Sequence, residues 1–165
     1  MNSNKIKNTI QGFTLIEALV YSALLSLFLF SSILFASNIL GANTRVTERN
    51  ELLVNQEFLE KKLNYIVGQS NDITLPLAGN IGSTLTLTGP NSSLFPATFS
   101  LSNNQVILSL PGEINVPLTS NRVKVTAFSV VHLSNLPAIR VTLAFSSINL
   151  PEISLTTNLS YVASQ

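Results

Sequence analysis

The sequence contains no cysteine and a single histidine among its 165 residues. Without cysteine the chain has no disulfide, no thiolate metal site and no thiol nucleophile. His132 has no second histidine to join it in a zinc site and no complete set of Ser/His/Asp partners is indicated. We therefore expect no metal, no cofactor and no enzymatic activity, and we expect His132 to be structural.

Charge is also scarce. Charged residues make up 10% of the chain, against about 25% in an ordinary globular domain. The formal net charge is +1, so the sequence lacks the basic footprint of a protein that binds a nucleic-acid backbone. We expect no nucleic-acid partner. This composition is typical of a chain with a membrane segment or a place in a packed assembly.

One long hydrophobic run lies near the N-terminus. From Ala18 to Leu40 there are 23 consecutive uncharged residues. As a helix this run spans about 34 Å, enough to cross a hydrocarbon core of about 30 Å. Lys5 and Lys7 precede it, so the positive-inside rule places the N-terminus in the cytoplasm and the rest of the chain outside. The run predicts a single-pass membrane helix.

After this run the chain becomes charged but keeps a helical pattern. No proline occurs before Pro76. Apolar residues recur at spacings of seven, four and three, which places them on one face of a helix. This helix stripe consists of Leu52, Leu59, Leu63 and Ile66. Arg45 and Arg49 fall on the same face, so we expect the apolar surface to begin near Leu52. The pattern predicts one helix over residues 13–67 whose stripe needs a partner surface.

Beyond Gly68 the pattern changes to short runs in which apolar residues alternate with Thr or Ser. All seven prolines lie in this part of the chain. The alternating runs cover residues 83–88, 105–110, 122–133, 138–145 and 153–162, and they predict strands. Asn103 and Asn104, like residues 134–137, are turn signals between neighbouring runs, so the strands should pair antiparallel. We expect the phenylalanines at 95, 99, 128 and 145 to lie in the core.

These elements predict an α+β fold in which one long N-terminal helix packs through its stripe against an antiparallel β-sheet domain. The expected organisation is a cytoplasmic leader over residues 1–12, a transmembrane half of the helix over 13–43 and an amphipathic extracytoplasmic half over 44–68. A β-rich domain follows over residues 69–165.

The residues that carry a functional signal lie at the start of the hydrophobic run. Residues 12–20 read Gly-Phe-Thr-Leu-Ile-Glu-Ala-Leu-Val, directly after a short basic leader. This string resembles the processing and methylation motif of type IV prepilins and type II secretion pseudopilins. The resemblance implies a pilin-like fold, cleavage by prepilin peptidase between Gly12 and Phe13, methylation of the Phe13 amine, and a role for Glu17 in assembly.

The sequence departs from the family pattern in three features, and these indicate which kind of family member it resembles. Gln11 stands where the family usually has Lys or Arg, so Lys5 and Lys7 supply the leader charge. The membrane half has no proline, and the chain lacks the cysteine pair that closes a C-terminal loop in many major pilins. These departures favour a minor pilin or minor pseudopilin.

Glu17 also calls for a physical explanation. A carboxylate in a membrane helix costs about 2.5 to 3.5 kcal/mol at the bilayer centre and less near the interface, so it favours a cationic partner. Cleavage before Phe13 would create one, because a neighbouring subunit's new N-terminal amine could pair with Glu17. The alternative is that Glu17 lies at the headgroup boundary, where the dipole of a helix N-terminus favours an acid.

Two functions from different classes follow. The first is a structural subunit of a type IV pilus, type II secretion or competence filament, with other pilin subunits, prepilin peptidase, an inner-membrane assembly platform and membrane lipid as partners. It would reside in a bacterial inner membrane and then in an extracytoplasmic filament. The alternative is a signal-anchored β-domain binding module that does not polymerise. A secretory signal cleaved near Ala42 is disfavoured, because the apolar run is longer than the 7 to 15 apolar residues that are usual in a secretory signal peptide.

Overall fold

The computed structural model describes residues 14–134 and 138–162, and within them the chain forms one helix followed by nine strands. The helix is α1 (Leu15–Val67). The strands are β1 (Asp72–Leu75), β2 (Ile81–Gly82), β3 (Thr84–Thr88), β4 (Ala97–Ser102), β5 (Gln105–Ser109), β6 (Val116–Pro117), β7 (Val123–His132), β8 (Ala138–Ser147) and β9 (Ser154–Val162). The chain divides into two compact units, Met1–Asn43 and Thr44–Gln165.

Side-chain caps mark both ends of α1. Thr14 precedes the helix, and its Oγ1 accepts a hydrogen bond from the backbone N–H of Glu17 at 3.4 Å. This is the N-cap geometry, which satisfies one of the free donors of a first turn. At the other end, the buried Ser70 donates its hydroxyl to the carbonyl of Val67 at 2.7 Å. The helix therefore has the predicted length within two residues, and Phe13 lies outside the described residues.

The strands form two antiparallel sheets rather than one. The five-stranded sheet has the order β1-β3-β4-β5-β6, and the four-stranded sheet has the order β2-β7-β8-β9. The chain changes sheet between β2 and β3, which are separated by Ser83 alone. At the tip of the β4–β5 hairpin, Asn103 and Asn104 have φ angles of 50° and 60°. Asparagine tolerates this left-handed conformation, which a two-residue hairpin turn requires.

The five predicted strands are confirmed as β3, β5, β7, β8 and β9. The sequence reading missed the other four, of which β2 and β6 have two residues each and β1 has four. Such short segments cannot show a clear alternation. By contrast, β4 does alternate between buried Ala97 and Phe99 and half-exposed neighbours, so its signal was present in the sequence. The α+β fold itself is confirmed.

One hydrophobic core joins the helix to both sheets. It includes the helix stripe, the inward row of β8 and the four phenylalanines expected in the core, which are at most 5% exposed. His132 is buried, and its Nδ1 lies 2.7 Å from the carbonyl oxygen of Pro76. This contact ties the end of β7 to the segment after β1. The structural role expected for His132 is therefore the one observed.

Candidate functional site

Four residues that the sequence assigns to processing lie outside the described residues: Lys5, Lys7, Gly12 and Phe13. Glu17, which the resemblance assigns to assembly, occupies the first turn of α1 and is exposed. Thr14 and Glu17 have the spacing of a capping box, in which the residue at the N-cap accepts from the backbone three residues on. The structure thus places Glu17 in a capped first turn.

The described part of the first unit is exposed along its whole length. Every residue from 14 to 43 is exposed, and large apolar side chains such as Leu15, Phe28 and Phe35 are between 67% and 82% exposed. Ser22 and Ser26 donate their hydroxyls to backbone carbonyls one turn earlier in the helix, at 2.9 and 2.7 Å. By length and composition this helix can cross a membrane. Its apolar surface requires cover from lipid or from other helices.

The helix stripe lies in the second unit and is fully buried. Leu52 is 1% exposed, and Leu59, Leu63 and Ile66 are each 0% exposed. All four belong to the core cluster that also contains residues of both sheets. The surface that the stripe covers is therefore the protein's own β-sheet region.

Polar residues extend the buried face of α1 beyond this stripe. Glu48 and Asn55 are each 7% exposed. Glu48 accepts the Ser147 hydroxyl on Oε2 at 2.7 Å and the Asn149 side-chain amide on Oε1 at 2.9 Å. Ser147 is itself buried, and its oxygen also accepts the backbone N–H groups of Asn149 and Leu150. One buried carboxylate thus holds the connection between β8 and β9.

A second set of hydrogen bonds joins α1 to the connection between β6 and β7. The backbone N–H of Ser120 donates to Asn55 Oδ1 at 2.7 Å, and the Ser120 hydroxyl donates to Glu51 Oε1 at 3.1 Å. We call these contacts, together with those of Glu48, the polar clasp. Its members on the helix are Glu48, Glu51 and Asn55, and its members on the β connections are Ser120, Ser147 and Asn149.

The electrostatic environment favours the ionised form of Glu48. Hydrogen bonds from Ser147 and then Asn149 hold the pKa of this carboxyl below its usual range, and the positive charge of Arg122 acts in the same direction. Burial raises the pKa, and its effect is smaller than that of either hydrogen bond but larger than that of Arg122. An ionised carboxylate surrounded by donors is a stable arrangement even where little water reaches it.

The sequence reading missed the polar clasp although a signal for it exists. Glu48, Leu52, Asn55 and Leu59 follow each other at spacings of four, three and four, so all four share one helix face. A search restricted to apolar residues begins this face at Leu52. Burial in fact begins one turn earlier, at Glu48, while Arg45 and Arg49 are exposed. The acids of the β-sheet region, Asp72, Glu113 and Glu152, are all exposed.

Open grooves flank the four-stranded sheet. A groove of about 520 Å³ lies between α1 and β9, lined by Glu57, Glu60, Lys61, Asn64, Ser160 and Tyr161. A smaller groove of about 270 Å³ lies toward the start of β9, beside Arg49 and Glu152. Burial raises the pKa of Tyr161 to about 12, and Glu60 adds to this effect. Neither groove has the converging set of acids and bases that a catalytic site needs.

No metal centre is indicated, because residues 14–134 and 138–162 contain no group of three or more His, Cys, Asp or Glu side chains that could hold an ion. Comparison with known proteins adds no family: no protein-family model, no curated protein sequence and no solved structure matches this chain.

Proposed function

We propose that this protein is a prepilin-like subunit, a minor pilin or minor pseudopilin, that is processed after Gly12 and built into an extracytoplasmic filament through its N-terminal helix. The observation that carries the proposal is the run Gly-Phe-Thr-Leu-Ile-Glu-Ala-Leu-Val at residues 12–20. From Leu15 onward this run forms the start of an apolar helix long enough to span a membrane.

The described geometry supports this proposal in two ways. First, α1 begins at Leu15 with Thr14 as its cap, so the described helix begins within a few residues of the proposed cut in the sequence. Second, residues 15–43 carry many large apolar side chains that are exposed. In the proposed cycle lipid covers these side chains first, and the helices of neighbouring subunits cover them after assembly.

Orientation follows from the charges around the helix. Lys5 and Lys7 precede the apolar run, which favours a cytoplasmic N-terminus. The membrane of this proposal is a bacterial inner membrane, as the resemblance to prepilins implies. The β-sheet unit would then lie outside the cytoplasm. In this proposal the protein works as a mechanical part, and its membrane helix and β unit serve assembly rather than catalysis.

The test is the intact mass and the N-terminal sequence of the full chain, extracted from membranes of cells with and without a prepilin peptidase. The expected product begins at an N-methylated Phe13 and appears only with the peptidase. A Gly12→Val variant should stay uncut, because a β-branched side chain blocks close approach to the scissile carbonyl. Gly41→Ala is the matched control and should be cut normally, since a Cβ at residue 41 meets no atom within 4 Å.

Two other outcomes contradict the proposal. A chain that keeps Met1 in the presence of the peptidase favours the signal-anchored binding module. A chain that begins near Asn43 indicates a secreted β domain, and it excludes both the filament subunit and the anchored module.

A further inference from the structure

The four sheet edges of this protein are protected very unequally. Three of them are short: β1 has four residues and an irregular register, β2 has two residues, and β6 has two residues including Pro117. The fourth edge, β9, is nine residues long, has a regular register with β8 and contains neither proline nor a charged residue. Natural proteins normally blunt an exposed edge with charge, proline, a bulge or short length, and β9 has none of these.

The backbone of β9 presents a row of free hydrogen-bonding groups. Ser147 N–H donates to the carbonyl of Ile153 at 3.0 Å, which fixes this pair as hydrogen-bonded. Because bonded and non-bonded pairs alternate along an antiparallel ladder, residues 155, 157, 159 and 161 bond to β8. Residues 154, 156, 158, 160 and 162 direct their N–H and C=O groups to the free edge. Among the described residues, no hydrogen bond outside the β8 ladder uses these groups.

The inward side chains of β9 are less buried than those of the neighbouring strand. On the neighbouring strand, the inward residues Ile139, Val141, Leu143 and Phe145 are each 0% exposed. The inward row of β9 consists of Leu155, Thr157, Leu159 and Tyr161, and all four are only half-buried. Tyr161 lines the larger of the two grooves and Leu155 lines the smaller one. One more strand beside β9 would both pair the free backbone groups and cover this row.

We propose that the free edge of β9 accepts an extended strand from another subunit, which runs antiparallel to β9 and turns alternate apolar side chains toward α1. A row of alternating donors and acceptors is complementary to an extended backbone and to no other common structure. The residues from 153 to 162 carry no charge, so the incoming strand needs no opposite charge along its length. The identification of the donor as another subunit rests on the proposed function.

The part of this chain that the structure describes is a poor donor of this strand. Its other edge strands have at most four residues and cannot pair with the length of β9. A β9–β9 pair would relate two copies by a two-fold axis perpendicular to the sheet. That rotation reverses the direction of the amphipathic half of α1 in one copy, whereas copies inserted the same way into one membrane share a direction. The donor is therefore a different subunit.

The experiment uses the full chain in detergent and a fluorescent peptide with the required chemistry. The peptide copies residues 153–162 and carries a two-lysine tail for solubility. When its apolar row faces α1, the amides at its positions 156 and 160 point toward β9, and those at 157 and 159 point away. We expect saturable binding by fluorescence anisotropy. N-methylation at 156 and 160 should abolish it, and N-methylation at 157 and 159 should leave it intact.

Because these changes are in the peptide, the fold of the protein is not disturbed. Equal binding of both methylated peptides, or no saturable binding of the parent peptide, overturns the proposal. A matched pair of protein variants adds a second measure: Thr156→Pro removes a free-edge N–H and should lose peptide binding, while Thr156→Ala should keep it. Equal binding by these two variants also contradicts the proposal.

Two further measurements show which protein donates the strand, and whether a failure of strand binding counts against the proposed edge site or against the proposed filament subunit. The protein has no cysteine, so an Asn158→Cys chain in membranes can form a disulfide only through residue 158. A dimer formed by this variant alone would identify a second copy as the occupant and overturn the assignment to a different subunit. Cleavage at Gly12 is scored separately by mass, so a failure of strand binding in a correctly processed chain counts against the edge and not against the filament subunit.

Discussion

At the scale of single residues, the most informative side chain is Glu48. Its carboxylate is nearly buried, yet it accepts hydrogen bonds from Ser147 and Asn149 and lies in the field of Arg122. A buried acid with these partners stabilises the fold only while it is ionised, because protonation removes one acceptor and the charge that strengthens both bonds. Glu48 therefore makes the packing of α1 on the β8–β9 connection sensitive to acid.

The expected pH dependence follows from the sign of the shift. The pKa of Glu48 is lowered on folding, so its contribution is fully present above the pKa of the unfolded chain and is lost as the pH falls through the folded pKa. We expect Glu48→Gln to be less stable than the wild type at pH 7, with a difference that shrinks below about pH 4. Chemical denaturation of the full chain in detergent at several pH values measures this difference.

Glu113→Gln is the control for this experiment, since Glu113 is exposed on the connection between β5 and β6. Its stability should follow the wild type at every pH. If the difference between the wild type and Glu48→Gln stays constant from pH 7 to pH 3, ionised Glu48 does not support the fold.

At the scale of elements, the second half of α1 packs against the β-sheet region through one narrow face. The helix stripe and the helix residues of the polar clasp lie together on this face. Leu59 is fully buried on this face, while Leu53 is 42% exposed on another. Helix propensity is the same for both leucines, so a difference between their variants reports packing alone.

We expect Leu59→Ala to lower the free energy of unfolding by about 2 to 5 kcal/mol, because it leaves a cavity in the core between helix and sheets. Leu53→Ala should change it by about 0.5 kcal/mol or less. The midpoints of urea unfolding of the two variants, measured side by side, provide the comparison. Equal losses would mean that the stripe does not form the contact between α1 and the core.

Local sequence patterns predict some features of these elements and cannot predict others. The helix and five strands follow from the spacing of apolar residues, because each period is a local property of the backbone. The division into two sheets does not, since it depends on which strand lies beside β7 and on the change of sheet between β2 and β3. The helical period indicates that Glu48 lies on the buried face, but it does not indicate its partners, which are about a hundred residues away in the sequence.

At the scale of the whole molecule, the two units differ in how much of their apolar surface is buried. Residues 44–162 bury their own core, whereas the described part of the first unit is exposed and apolar. The candidate processing site could be found only from its motif, because cleavage and methylation are acts of another enzyme on a short string and leave no trace in the fold of the substrate. The role of Glu17 must therefore be tested in the assembled state.

We expect Glu17→Ala to be cleaved at Gly12 and inserted like the wild type, yet to be absent from the sheared filament fraction. In the proposed filament, Glu17 pairs with the Phe13 amine of a neighbouring helix, and its loss leaves that amine unpaired in an apolar bundle. Glu17→Gln should fail in the same way, because an amide keeps the size of the side chain but not its charge. Quantitative blotting of the membrane and filament fractions measures both variants.

Thr14→Ala separates this explanation from a purely local one. Thr14 caps the same first turn through the backbone of Glu17, so loss of the cap weakens the start of the helix by about 1 kcal/mol without removing the charge. If Glu17 acts only through the local helix start, Thr14→Ala and Glu17→Gln should lower filament yield by similar amounts. If the carboxylate pairs between subunits, Thr14→Ala should assemble and Glu17→Gln should not, whereas normal assembly of both Glu17 variants would contradict a role for Glu17 in filament assembly.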